Sequence, residues 1–154
     1  MAAILEVGDV LEFQCSYGWC YLSYAGKDPV MGHAVWVVPE IFTSRQTDWG
    51  IVFGCPGGFW LFYPAVATLG AKLVKKVGYL ADAARMLPRM RRNIVARDEN
   101  DAVRSWYITD GSSRVPRLDA ELTDEERRLP IGEIWNHAFL LEQFESGHLP
   151  RCSR

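Results

Sequence analysis

No run of about eighteen apolar residues occurs in the 154-residue chain, so the sequence offers no membrane-spanning helix. The opening MAAILEVGDV has no basic n-region and meets an acid at Glu6, which argues against a secretory leader and for a cytoplasmic protein. Cysteine is sparse. Cys15, Cys20, Cys55 and Cys152 form no Cys-x-x-Cys pair, and free thiols are the default in a reducing compartment. A metal site from Cys15, Cys20, Cys55 and His33 is the alternative, but the Cys15–Cys20 spacing has no matching second pair. No cofactor is expected. Histidine is limited to His33, His137 and His148, and no H-E-x-x-H, G-x-S-x-G or phosphate-binding loop is present. A Cys–His nucleophile pair drawn from Cys20 or Cys55 with His33 or His137 has no support in the spacing. Asp9 and Glu12, three apart on a presumed strand, should point to opposite faces and make poor partners for paired-carboxylate chemistry.

An excess of one charge is also missing overall, since the formal net charge is −2, which argues against a general nucleic-acid binder. The charge is nevertheless banded. Residues 1–71 hold two basic against six acidic residues, 72–117 hold eleven against five, and 118–154 hold four against eight. Such banding favours a charged macromolecular partner if the bands face separate surfaces, and cancels if they mix in space.

What the chain does have is apolar and aromatic residues in strand-like order. Asp9 to Cys15 alternates imperfectly and reads as a half-buried antiparallel strand. Ser16-Tyr17-Gly18 reads as a hairpin turn. Trp19 to Tyr24 follows, with Trp19, Tyr21 and Ser23 on one face and Cys20, Leu22 and Tyr24 on the other. Both faces are mostly apolar, so both should be covered. His33 to Val38 is a continuous apolar run ended by Pro39, as in a central strand covered on both sides. Trp49 to Cys55 and Phe59 to Tyr63 flank Pro56-Gly57-Gly58 and suggest a second hairpin. Lys72 to Leu80 reads as an edge strand with a lysine-rich side. A short helix is expected over 82–86, strands over 105–109 and 114–117 around Asp110-Gly111, and a capping box at Thr123-Asp124-Glu125-Glu126. The last helix is expected from about Ile134 to Ser146, with Trp135, Ala138, Phe139 and Glu142 on one side and Gly147 as its stop.

The expected fold is α+β: a strongly curved antiparallel sheet, or SH3-like half-barrel, with the C-terminal helix packed on it. The length fits a single domain over 1–154, with a β-rich core at about 4–80 and a strand-plus-helix portion at about 104–147. Two groups of residues stand out as partner-binding candidates. Trp19, Tyr21, Tyr24 and Trp36, with Trp49 and Trp60, are either core rings or interface anchors. Lys72, Lys75, Lys76, Arg89, Arg91 and Arg92 are either a solvated band or an acid- or phosphate-binding patch.

The chain also resembles the Immunity protein 26 family of bacterial polymorphic-toxin systems and its uncharacterised relatives. The resemblance is carried by Gly8-Asp9, Gly18 with the aromatic strand to Tyr24, Gly32 with the apolar strand to Pro39, Phe62-Tyr63-Pro64, Val77-Gly78 and Pro88. It continues through Leu129-Pro130-Ile131, Trp135-Asn136, Leu140-Leu141-Glu142 and Gly147. It implies a binding protein without catalytic residues that neutralises a toxin by protein–protein occlusion. The alternatives are a small-ligand or nucleic-acid-binding module using the basic 72–92 band, and an enzyme of unknown class.

Overall fold

The computed structural model describes residues 4–81 and 86–150. Five strands form one antiparallel sheet: β1 (Asp9–Cys15), β2 (Gly18–Asp28), β3 (Gly32–Val37), β4 (Phe59–Phe62) and β5 (Lys75–Tyr79). Their spatial order is β4-β3-β2-β1-β5. A second antiparallel sheet has the order β6-β7-β8, from Arg91–Arg97, Val103–Thr109 and Arg114–Leu118. Three α-helices among the described residues complete the α+β fold: α1 (Trp49–Phe53), α2 (Ala65–Gly70) and α3 (His137–Ser146). Neither sheet closes into a barrel.

The first hairpin follows from its sequence. Cys15 pairs with Gly18, so Ser16 and Tyr17 form a two-residue loop. Gly18 has φ +149°, and a side chain there would run into the backbone carbonyl of Phe42, which bridges to Trp19. Both faces of β2 are covered, as its composition requires. Cys20, Leu22 and Tyr24 join Leu11, Phe13, Val35 and Val37 in the main core, closed by Leu140 and Phe144 of α3. Tyr21 joins Val10, Val38, Val52 and Phe53 on the opposite face, under α1.

Several expectations are corrected. The run Trp49 to Cys55 is not a strand of a second hairpin but contains α1. Asp48 caps it by accepting from the Ile51 N–H at 3.2 Å, and β4 pairs with β3 instead. A short apolar run carries no period long enough to separate the two states. β1 is buried on both faces rather than half-buried, with Asp9 and Glu12 taken inside as ion pairs. β6 lies where no strand was expected, and its register shifts around Ala96 hide the alternation. The final helix begins at His137, with Asn136 accepting from the Phe139 N–H at 2.8 Å. Its buried residues are Leu140 and Phe144, while Ile134 lies before the helix and bridges to Phe62. The helix expected over 82–86 falls largely outside the described residues.

The segment between Leu129 and Trp135 ties the two sheets together. The Arg92 N–H donates to the Pro130 carbonyl and the Gly132 N–H donates to the Arg92 carbonyl, each at 2.9 Å. Three residues on, the Trp135 N–H donates to the Phe62 carbonyl at 3.0 Å. A second tie is the buried pair of Arg91 and Asp28, 3.7 Å apart, between the start of β6 and the end of β2.

Candidate functional site

The aromatic residues singled out from the sequence separate into two kinds. Tyr21 is fully buried; its hydroxyl donates to Glu12 Oε2 at 2.8 Å and accepts from the Gln46 N–H at 2.8 Å. Burial pushes its hydroxyl pKa up to about 12, with the neighbouring Glu12 carboxylate adding to the rise. Tyr24 is also buried, 2.8 Å from His33 Nδ1. Both belong to the core rather than to a recognition surface, because alternate β2 residues enter cores on opposite faces. Trp19 and Trp36 are half-buried, and Trp36 packs edge-on against Trp60 with 4.9 Å between centroids.

The basic band is spread over both sheets. Lys72, Lys75 and Lys76 are exposed at or beside β5, and Lys76 pairs with buried Asp9 at 3.1 Å. Arg89 is exposed, Arg91 is buried against Asp28, and the Arg92 guanidinium lies 4.6 Å from the Trp106 ring centroid. Lys75 and Lys76 belong to the large sheet, and Arg91 and Arg92 to the small one.

No hydrogen bond joins a cysteine to a histidine among the described residues. Cys15 and Cys20 lie close on adjacent strands, but Cys20 is buried, and desolvation followed by the Cys15 thiol pushes its pKa up. His33 and His137 face tyrosine hydroxyls, Tyr24 and Tyr63, each at 2.8 Å through Nδ1. Desolvation lowers the pKa of both rings, with nearby Lys27 adding to the effect at His33. Among the described residues, no three His, Cys, Asp or Glu side chains are placed to hold a metal ion.

The arrangement that combines half-buried rings with cations is a cleft along the outer edge of β4. It is lined by Phe59, Trp60 and Leu61 of β4, Arg92 of β6, and Arg127, Arg128, Leu129, Ile131, Glu133 and Trp135 of the connecting segment, with Pro150 at one end. Trp135 packs edge-on against Phe139 at 4.8 Å, and Phe139 and Ile134 are 41% and 60% exposed beside it. Three arginines stand against one carboxylate on the lining. Arg127 donates to the Asp119 carbonyl at 3.0 Å, and Arg92 Nε donates to the Leu129 carbonyl at 3.2 Å. The capping box at Thr123 and Glu126 is present and starts the tight turn that presents Arg127 and Arg128. Of the residues weighed from sequence as binding candidates, Trp60 and Arg92 line this cleft. The adjacent Arg127-Arg128 pair before Pro130 was the available signal, obscured by the acidic residues around it.

No family model, no curated protein and no solved structure matches the chain. No helix among the described residues is long and apolar enough to cross a membrane.

Proposed function

We propose that this chain is an immunity-type binding protein that neutralises a bacterial toxin by covering a surface the toxin needs. The observation that carries the reading is the composition of the β4 cleft and its rim. Tryptophan and arginine are the side chains most enriched among the anchors of protein interfaces, where large rings exclude water around a few charged contacts. Here Trp60 and Trp135 line the cleft with Arg92, Arg127 and Arg128, and Phe139 packs on Trp135 beside it. The resemblance to the Immunity protein 26 family points the same way. The strong curvature expected of the large sheet belongs to this proposal; the register shifts in β1–β5 and β2–β3 are of the kind that bends strands.

The test is co-expression with the product of the neighbouring open reading frame. Rescue of cells from a toxic neighbour, together with a co-purifying complex, is the expected outcome. Toxicity without rescue and without a complex would remove the reading.

A further inference from the structure

The main-chain pairing of β4 shows what kind of segment the cleft fits. The Tyr63 N–H donates inward to the His33 carbonyl at 2.9 Å, whereas the Phe62 carbonyl accepts outward from the Trp135 N–H at 3.0 Å. Strand groups alternate in direction, so the N–H and C=O of Trp60 also point outward, away from β3. The facing pair Trp36 and Trp60 is then of the non-hydrogen-bonded kind, consistent with their 4.9 Å ring contact. Trp135 closes the edge at Phe62, and the connecting segment then leaves for β6, so the edge beside Trp60 stays open to the cleft.

The two edges of the large sheet differ in chemistry. β5 carries exposed Lys75 and Lys76, a composition that discourages another strand from adding there. β4 has neither lysine nor proline along Phe59–Phe62. Charge then narrows the occupant. Arg127 is engaged with Asp119, and Arg92 lies on Trp106 and the Leu129 carbonyl. Arg128 is exposed, and its guanidinium makes no hydrogen bond or ion pair among the described residues.

We infer that the cleft receives an extended, acid-bearing segment of a partner protein. Its main chain pairs with the outward groups of Trp60, and one carboxylate is held by Arg128 between Trp60 and Trp135. Strand addition supplies register, and the guanidinium selects an acidic side chain over a neutral one. Glu133 disfavours a second carboxylate nearby, so a single acid flanked by apolar residues is the preferred pattern. This inference rests on the binding-protein reading for its biological setting, but its chemistry can be tested alone.

The probe is the peptide N-acetyl-Val-Glu-Val-amide, with N-acetyl-Val-Gln-Val-amide as its neutral counterpart. Both are titrated into the full chain while tryptophan indole N–H signals are followed by NMR, with Trp60 and Trp135 assigned through Trp60→Phe and Trp135→Phe. The glutamate peptide should shift the Trp60 and Trp135 signals, and the glutamine peptide and the Arg128→Gln variant should each bind at least tenfold more weakly. Equal response to the two peptides, no response, or shifts confined to Trp19 and Trp49 would overturn the inference. Complex formation with the neighbouring gene product is measured in parallel. A complex without peptide selectivity removes the acidic-segment inference and keeps the binding function; selectivity without a complex does the reverse.

Discussion

Asp28→Asn isolates the charge that holds the two sheets together. Asp28 and Arg91 have side chains 8% and 6% exposed, 3.7 Å apart. At that separation and an effective dielectric constant of about 20, the attraction is about 4–5 kcal/mol before desolvation is subtracted. Asp28 Oδ1 also accepts from the Val30 and Met31 N–H groups at 2.8 and 2.9 Å, a turn that asparagine can keep. The substitution therefore removes the negative charge and leaves the turn. It strands a buried guanidinium whose Nε and Nη1 have no hydrogen-bond partner among the described residues. Breaking a buried pair from one side costs about 3–5 kcal/mol, and the retained turn places this variant near about 3 kcal/mol. For a chain of this size that corresponds to a fall in Tm of about 6–12 °C. Denaturant unfolding followed by tryptophan fluorescence and near-UV circular dichroism measures it. The double variant Asp28→Asn with Arg91→Met should recover most of the loss, because a neutral packed pair no longer buries a lone charge. A loss below about 1 kcal/mol for Asp28→Asn, or a double variant as unstable as the single one, would refute a desolvated clamp.

Other consequences follow from individual contacts. Gly78→Ala places a methyl group against the Trp49 ring beneath α1, and overpacking of this kind should cost about 1–3 kcal/mol, read as a lower denaturation midpoint. Tyr21→Phe removes a buried hydroxyl shared by Glu12 and the Gln46 amide, with an expected loss of about 1–3 kcal/mol by the same measurement. Stability should also depend on His33 and His137, whose folded pKa values lie below the ordinary value near 6.5. A depressed folded pKa means that the unfolded chain takes up protons first, so the contribution is complete above about pH 6.5 and is lost as pH falls through the folded values. Tm measured from pH 8 to pH 5 should therefore fall more steeply for the wild-type chain than for His33→Gln with His137→Gln; parallel curves would contradict this. Hydrogen bonds from Ser112 hold Asp110 down to about 2 and those from Ser16 lower Glu145, so their effects belong to a separate, more acidic window.

Much of the β framework could be read from local sequence. Gly18 marked the first hairpin, the aromatic alternation of Trp19 to Tyr24 required two covered faces, and Asp110-Gly111 lay between two strands. The lysine-rich 72–80 stretch supplied the β5 edge. What failed locally was decided by tertiary contacts. Trp49 to Phe53 is helical because Asp48 caps it, and Asp9 and Glu12 are buried because Lys76 and Arg45 reach them. The cleft was the least legible feature. Its walls come from 59–61, from Arg92 and from 127–135, so no window of sequence contains it. Trp135 fits a helical stripe in the sequence, yet its N–H donates to the Phe62 carbonyl at the edge of β4.

The most direct measurement is the affinity of the purified chain for the neighbouring gene product, comparing wild type with the exposed substitutions Arg128→Glu and Phe139→Asp at the cleft and Lys75→Glu at the far sheet edge. The expected result is a stoichiometric complex that Arg128→Glu and Phe139→Asp each weaken at least tenfold and that Lys75→Glu leaves unchanged. A complex indifferent to Arg128 and Phe139 but lost on Lys75→Glu would move the binding surface to the opposite edge and contradict the account.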